Sequence, residues 1–315
     1  MTTLRRSRTA LAAPAALLAL ATVLAGCSSG DDTTAEPVSS AAVDSALAAE
    51  LPDAVKTAGA ITAGALWETP PVISVTVSDT STPVGVAPDL AAAVGSVLGV
   101  KVEWKNMQWP AQLPGVQSGS VDVLWGQVSA TAEREKSVVD LVPFYKSTMA
   151  LLLPADKASG VTGLASMCGK KVGLPVGSVQ SKVAQTVSDA SCAGNPIKLA
   201  EYSGATAAIS AVKAGTIDAW MDSTSSQEEV VEQSGATFAV AELPATEFPP
   251  TYTSIAVGKS QPGLTKALLG AMQKIVADGT YGKIMAKYGM QGSEVTAQEV
   301  VANPVTKTAI GQTAF

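Results

Sequence analysis

Short apolar runs alternate with helix-spaced segments along most of this 315-residue chain. In its first half, the apolar runs predict strands and the 3.6-residue spacing predicts helices. The predicted strands are 60–66, 72–77, 100–104 and 121–125, with a turn at 78–83. The predicted helices are 87–98, 109–117 and a short segment at 132–138. Gly99 and Gly119 stand just after the two longer helices, where a glycine commonly ends a helix.

The same alternation returns in the second half of the chain. It predicts strands at 171–174, 197–200 and 217–221, and helices at 178–190, 205–214, 264–277 and 281–287. Strands that alternate with helices of this length predict parallel α/β sheets. Because roughly 260 ordered residues exceed one typical hydrophobic core, we expect two lobes.

The N-terminus has the organisation of a secretion signal. Three arginines precede the Ala/Leu-rich stretch 9–23, which ends in Leu-Ala-Gly-Cys27 and a polar Ser-Ser-Gly sequel. This resembles a bacterial lipobox, so we expect residues 1–26 to be a lipoprotein signal peptide and Cys27 to carry a lipid. An uncleaved signal anchor is the alternative. No other apolar run reaches the roughly 18 residues that span a bilayer.

These features predict a chain anchored by its lipid to the outer face of the cell membrane. Residues 27–50 are rich in Ser, Ala, Asp and Thr and are expected to form a flexible tether. Removing the signal peptide takes away three of 21 basic residues, which leaves 18 against 27 acidic residues and a net charge of −9. That charge argues against a nucleic-acid partner.

The sequence contains no histidine. This excludes Ser-His-Asp and Cys-His catalysis and removes the commonest zinc ligand, and we expect neither a cofactor nor a metal. Cys168 and Cys192 are the two cysteines left after Cys27. Outside the cytoplasm such a pair usually oxidises to a disulfide, and two buried free thiols are the alternative.

Arg134 stands where a predicted helix begins, although the helix dipole disfavours a cation at that end. Ser129 and Thr131 precede it in the strand-to-helix loop, so hydroxyls, free backbone N–H groups and a guanidinium would converge. Such a place binds an anion, and a carboxylate matches the arginine fork. The alternative is a surface ion pair between Arg134 and Glu133 or Glu135.

The segment from Asp122 to Arg134, with Val139-Asp140 and Pro143-Phe144-Tyr145 after it, resembles the first-lobe signature of the polar amino-acid solute-binding proteins (family 3). These are the receptor components of bacterial ABC importers. Five further stretches resemble that family in order and spacing, namely 83–90, 109–119, 169–180, 214–219 and 277–289. The resemblance covers about residues 51–290, and a disulfide like Cys168–Cys192 is found in some members.

The resemblance implies an α/β, two-lobed periplasmic-binding-protein-like fold (type II), with the ligand cleft between lobes joined by two crossovers. Lobe 1 would comprise 51–147 plus 251–315, and lobe 2 would comprise 148–250. The crossovers would lie near 147–151 and 249–253. Ligand bound between the lobes favours the closed form, because contacts from both sides exist only there.

Roles for individual residues also follow from the resemblance. Arg134 would clamp a ligand carboxylate, helped by Ser129 and by the backbone near Gln127. Ser178 would add a hydroxyl to the same anion, or would serve only as a helix N-cap. Trp109 would form an aromatic pocket wall, or would pack in the core. For Trp125 and Trp220, which end strands that face the cleft in this family, we expect core packing.

Two positions depart from the family pattern. Thr69 stands where an aromatic residue is usual, so Trp67 or Glu68 would have to fill that side of the pocket. Asp222 lies four residues after Asp218, whereas the acid that holds an α-ammonium commonly lies five residues after the matching Asp. Asp222 would therefore bind the ligand or cap the next helix. If both features are lost, the ligand is a carboxylate without the usual α-amine.

The leading interpretation is a lipid-anchored, monomeric receptor that captures a small carboxylate-bearing solute, a polar amino acid or a relative, and is not an enzyme. It would deliver the solute to ABC permease and ATPase subunits, because the chain itself has no G-x-x-x-x-G-K-[ST] loop. One alternative is a dehydratase-like enzyme on the same fold, using Glu68, Glu133 or Asp222. Another is a lipoprotein that senses a ligand for a membrane partner.

Overall fold

The computed structural model describes residues 42–307. The predicted signal peptide at 1–26, the lipid site at Cys27 and the end of the chain after residue 307 lie outside the described residues. All of the described residues belong to the unit Ser39–Phe315. No helix among them is long and apolar enough to span a bilayer.

Two five-stranded sheets, one per lobe, organise the described chain. The strands of the lobe 1 sheet are β1 (Ala60–Ala65), β2 (Lys101–Asn106), β3 (Val123–Leu124), β4 (Val139–Ser147) and β10 (Thr251–Gly258). The strands of the lobe 2 sheet are β5 (Met149–Pro154), β6 (Lys171–Pro175), β7 (Lys198–Tyr202), β8 (Ala219–Ser223) and β9 (Phe238–Glu242). Their spatial orders are β2-β1-β3-β10-β4 and β7-β6-β8-β5-β9. The predicted α/β class and two-lobed fold are confirmed.

Helices cover both sheets. Those of lobe 1 are α1 (Ser45–Ala49), α2 (Asp53–Ala58), α3 (Val86–Leu98), α4 (Trp109–Ser118), α5 (Ala132–Ser137), α9 (Pro262–Ala277), α10 (Thr280–Lys287) and α11 (Pro304–Lys307). Those of lobe 2 are α6 (Val179–Ser191), α7 (Ala205–Lys213) and α8 (Thr224–Ser234). In α3 the residues at 86, 87, 90, 91, 94, 97 and 98 are buried, which is the spacing of one helix face. The helix ends at Gly99 in the left-handed conformation (φ 70°), as the sequence predicts.

The sheets are mixed rather than parallel, which corrects the sequence-based expectation. β1 is parallel to β2 and β3, but β10 is antiparallel to β3 and β4. Likewise β6 is parallel to β7 and β8, but β5 is antiparallel to β8 and β9. The chain enters β5 and β10 from the other sheet, not through a helix packed on the same sheet, so no crossover imposes parallel pairing.

The chain passes between the sheets twice. Thr148 alone separates β4 from β5, and residues 243–250 connect β9 to β10. The Ser147 and Thr253 hydroxyls, both buried, lie 3.1 Å apart beside these connections. The end of β4 and the start of β10 therefore run side by side where the chain changes lobes.

Two local predictions were wrong. The stretch 72–77 was predicted as a strand but forms only isolated bridges. Val72 and Ile73 are buried, whereas Val77 is fully exposed, so only the first part of this run packs against the core. The flexible tether predicted over 27–50 is wrong for residues 45–49, which form α1, and residues 27–41 lie outside the described residues. Asp44 caps this helix, and its carboxylate lies 2.9 Å from Lys274 Nζ of α9, so the segment is fixed to lobe 1.

Candidate functional site

A small cavity of about 50 Å³ lies between the lobes. Lobe 1 lines it with Leu66, Thr69, Trp109, Gln112, Gln127, Ser129 and Arg134, and lobe 2 with Pro175, Ser178, Val179, Gln180 and Asp222. Seven of the nine residues predicted to contact a ligand lie in this lining. They come from loops, helix starts and strand ends at β1, β2, β3, β6 and β8, where side chains from separate segments converge.

Arg134 is the only cation that residues 42–307 contribute to the cavity lining. It is the third residue of α5 and only 8 % exposed. Its Nη1 donates to the Ser129 carbonyl oxygen at 2.7 Å, and its guanidinium carbon lies 5.4 Å from the centroid of the Trp109 ring. Burial lowers the pKa of Arg134 to about 10, so the guanidinium remains charged at neutral pH.

The two acids beside Arg134 do not pair with it. Glu133 Oε2 accepts from Lys182 Nζ at 2.7 Å, and this lysine belongs to lobe 2. Glu135 accepts the backbone N–H groups of Val305 and Thr306, each at 2.8 Å. The surface ion pair offered as the alternative role of Arg134 is therefore absent among residues 42–307. The buried guanidinium forms no salt bridge there, although the nearby charge of Glu133 raises its pKa somewhat.

Asp222 is the only acid in the part of the cavity lining that the structure describes. It is 7 % exposed, and its Oδ1 accepts the Ser223 N–H at 2.8 Å. Burial raises the pKa of the Asp222 carboxyl to about 6. Helix α8 has Ser223 as its N-cap and receives no side-chain cap, so Asp222 does not take the alternative capping role. No described cation forms an ion pair with it.

Ser178 is a helix N-cap and also faces the cavity, so its predicted contact with an anion stays a prediction. Its Oγ accepts the Ser181 N–H at 3.3 Å, which makes it the N-cap of α6, and it also lines the cavity. Trp109 likewise packs on the lobe 1 core while forming part of the cavity wall. Trp125 and Trp220 are buried core residues, as expected.

Trp67 and Glu68 do not line the cavity, so neither fills the side of the pocket that Thr69 leaves without an aromatic ring. The Trp67 indole packs against the lobe 1 core instead. The Glu68 carboxylate points across the cleft, where its Oε2 accepts the Thr206 N–H of α7 at 3.0 Å. Thr69 itself is 6 % exposed and in the lining.

Five lining residues were missed by sequence reasoning, namely Leu66, Gln112, Pro175, Val179 and Gln180. A signal existed for one of them: Gln112 follows Trp109 by three residues on a helix, so the two share a face. Gln180 lies in a stretch that resembles the family, but no role followed from its type. No group of three or more metal-binding side chains occurs within the described part of the chain.

Three hydrogen bonds across the cleft show that the lobes are closed on the cavity. Lys182 bonds to Glu133, Gln127 Nε2 donates to Ser226 Oγ at 2.8 Å, and the Thr206 N–H donates to Glu68. Lys182 and Glu133 are both exposed, so solvent screens this pair and it adds little to the closed form.

The family model for bacterial extracellular solute-binding proteins, family 3, matches residues 61–291 of this chain. The chain is 27 % identical over 202 residues to a probable histidine-binding protein of Neisseria gonorrhoeae, covering 64 % of this chain and 72 % of the relative. It is 26 % identical over 210 residues to the lysine/arginine/ornithine-binding periplasmic protein of Escherichia coli, covering 65 % and 78 %.

Solved structures are similar over a comparable part of the chain. An ancestral arginine-binding protein bound to glutamine superposes with a TM-score of 0.67 and 28 % identity, covering 74 % of this chain and 98 % of that structure. A substrate-binding protein of a Streptococcus pneumoniae amino-acid ABC transporter, bound to L-arginine, superposes with a TM-score of 0.67 and 25 % identity, covering 78 % and 100 %. With its two lobes, its interlobe cavity and a match over residues 61–291, this chain belongs to the bacterial extracellular solute-binding proteins, family 3.

Proposed function

We propose that this protein is a lipid-anchored receptor that captures an α-amino acid between its lobes and delivers it to an ABC permease. One observation carries the proposal: Arg134 and Asp222 line the same cavity, from opposite lobes, and neither has an oppositely charged partner among residues 42–307. A buried charge is unfavourable unless it is paired. An α-amino acid supplies both missing charges, a carboxylate for Arg134 and an ammonium for Asp222.

The other lining groups support this assignment. The Arg134 guanidinium is held by the Ser129 carbonyl and by the Trp109 ring, so its remaining N–H groups are pre-oriented for a carboxylate. Ser178 adds a hydroxyl from lobe 2. The relatives are named for histidine and for lysine, arginine and ornithine, and one similar structure holds glutamine. These ligands differ in side chain and share the α-carboxylate and α-ammonium.

A calorimetric titration tests the recognition of the two α-groups. The panel holds L-amino acids, each beside the matching acid that lacks the α-amine and the matching amine that lacks the carboxylate. We expect binding of at least one amino acid and a loss of at least tenfold in affinity when either group is removed. A ligand that binds equally well without its α-amine contradicts the role of Asp222.

Delivery and anchoring need a test in cells. We expect deletion of the gene to abolish uptake of the amino acid found by titration, and Cys27→Ser to release the protein from the membrane fraction without changing its affinity. A sensor for a membrane partner, the alternative function, would leave uptake unchanged in the deletion strain.

The enzyme alternative now depends on Asp222 alone. Of the three acids considered for catalysis, Glu68 and Glu133 do not line the cavity, whereas Asp222 does and has a pKa of about 6, near the range suited to proton transfer. Proton NMR of the purified protein with each bound ligand decides the matter. Turnover that disappears in Asp222→Asn would establish catalysis, and an unchanged ligand spectrum supports a binding protein.

A further inference from the structure

We infer that the bound amino acid has an uncharged, hydrogen-bonding side chain. This inference rests on the proposed function, because it assigns both charges of the cavity to the α-groups. Once Arg134 holds the carboxylate and Asp222 holds the ammonium, no charged side chain in the lining is left. A second charge on the ligand would be buried without a partner, which is strongly unfavourable.

The acids near the cleft are occupied elsewhere. Glu68 accepts from the Thr206 N–H across the cleft, Glu133 pairs with Lys182 on the surface, and Glu135 accepts two backbone N–H groups near residue 305. None of the three lines the cavity. A lysine or arginine side chain would therefore find no carboxylate, and an acidic side chain would find no cation besides Arg134.

The uncharged polar groups of the lining fit an amide or a hydroxyl. Gln112 is 2 % exposed, its Nε2 donates to the Met107 carbonyl at 3.1 Å, and its Oε1 has no hydrogen-bond partner among the described residues. Gln180 is 8 % exposed, and its amide makes only a 3.8 Å contact with the Met149 sulfur. An amide or hydroxyl on the ligand supplies the missing donor, while Leu66 and Val179 give the wall its apolar part.

Competition calorimetry tests this inference with L-glutamine, L-asparagine and L-serine against L-lysine, L-arginine and L-glutamate. We expect the tightest binder to be one of the three uncharged amino acids, at least tenfold tighter than any charged one. A charged amino acid as the tightest binder overturns the inference and leaves the proposed function intact. If no amino acid binds, the proposed function itself has failed.

An isosteric substitution sharpens the test. Gln112→Glu adds one negative charge to the wall, and Gln112→Met is its uncharged control. We expect the ratio of lysine to glutamine affinity to rise at least tenfold more in Gln112→Glu than in Gln112→Met, which removes only the hydrogen bond to the ligand amide. Gln180→Glu serves as the second variant if Gln112→Glu does not fold. If the ratio of lysine to glutamine affinity is unchanged in the folded glutamate variants, the Gln112 and Gln180 amides do not contact the ligand side chain.

The contact between Glu68 and the start of helix α7 supports a second, independent inference. Helix α7 begins after Gly204, which has no side chain to cap it, and the first-turn N–H of Thr206 is capped instead by Glu68 of the opposite lobe. A carboxylate at this end also interacts favourably with the helix dipole. We propose that Glu68 is a positioning residue that favours the closed form, because lobe opening leaves α7 without this cap.

Glu68 packs against Gly204, where the absence of a side chain leaves room for its carboxylate. A Cβ atom at this position would lie 2.9 Å from Glu68 Oε2 and 3.1 Å from Gln108 Oε1. Its backbone is extended, so another residue fits the conformation itself. Gly204→Ser should therefore supply a cap from within lobe 2 and obstruct the approach of Glu68, without straining the helix.

The test compares Glu68→Ala, Gly204→Ser and the double variant. We expect each single variant to weaken ligand affinity about fivefold, the effect of one lost cap. The loss should appear as faster dissociation and as a larger radius of gyration by X-ray scattering without ligand. The double variant should add no further loss. Unchanged affinity and scattering in both single variants overturn the proposal. In Gly204→Ser helix α7 keeps a cap from its own lobe, so a loss of affinity in that variant reports on lobe closure and not on the stability of the helix.

Discussion

Arg134 and Asp222 face one cavity from opposite lobes, and each lacks a partner of opposite charge within residues 42–307. Burial favours the neutral form of both groups. It lowers the pKa of Arg134 to about 10 and raises the pKa of Asp222 to about 6. The unliganded cavity therefore holds two buried charges that a zwitterion between the lobes would compensate. This relationship determines the first three predictions.

Replacing Arg134 should weaken binding far more than it weakens folding. Arg134→Met removes the contact to the ligand carboxylate, and loss of a buried charge-assisted pair typically reduces affinity by ~3 kcal/mol, roughly 100-fold. Lys136→Ala, an exposed lysine on the same helix, is the control and should bind normally. Calorimetry gives the affinities, and urea unfolding gives the stability. Normal affinity in Arg134→Met would refute the carboxylate clamp.

Asp222→Asn should stabilise the ligand-free protein at pH 7. The folded-state pKa of about 6 lies above the ordinary 3.8, so the folded state binds this proton more tightly than the unfolded state and stability falls as pH rises from 3.8 to about 6. Above pH 6 the loss is constant, at about 3 kcal/mol. Asparagine keeps an acceptor for the Ser223 N–H.

The check is urea unfolding of both proteins at pH 4 and pH 7.5. The variant should be more stable at pH 7.5, with the difference shrinking toward pH 4, and it should bind amino acids less tightly at pH 7.5. If the variant and the wild-type protein are equally stable at each of the two pH values, burial does not destabilise the Asp222 carboxylate.

The affinity for an amino acid should fall as the pH drops below about 6. In the free protein Asp222 takes up a proton near that pH, whereas the ligand ammonium favours the carboxylate, so binding must displace the proton at lower pH. Titrations from pH 4.5 to 8 measure this. Asp222→Asn should flatten the profile, and a wild-type profile without slope below pH 6 would argue against an ammonium at Asp222.

Removing the disulfide should destabilise lobe 2 without changing ligand binding. Cys168 and Cys192 are bonded with a sequence separation of 24, a loop for which the chain-entropy model gives about 3 kcal/mol. Neither cysteine lines the cavity. The double variant Cys168→Ala/Cys192→Ala should melt at a lower temperature and keep its affinity. A matched loss of affinity would show that the α6 end of lobe 2 is coupled to the cavity.

Much of the site could be anticipated because its residues belong to short, ordered motifs. Arg134, Ser129 and Gln127 lie within twelve residues of Asp122 in a stretch that resembles the family, and all three line the cavity. Glu68 was placed in the pocket because it neighbours Thr69, yet it lies outside the lining. Adjacent residues on an irregular segment point in different directions. Without helix or strand periodicity there, the sequence does not predict which of them faces the pocket.

The chain sequence by itself determined the alternation of strands and helices, the α/β class and the helix ends at Gly99 and Gly119, because local spacing and glycine conformation depend on neighbouring residues. Its length and its motifs predicted the two lobes, and the segment around Arg134 predicted a ligand contact that stays a prediction. Only the tertiary structure decided that β5 and β10 run antiparallel to their neighbours, that Asp222 lines the cavity, and that Glu68 caps a helix of the other lobe. These relationships join residues 68 to 138 positions apart. The strand pairs form when each lobe folds, and the Glu68 contact forms only when the lobes close.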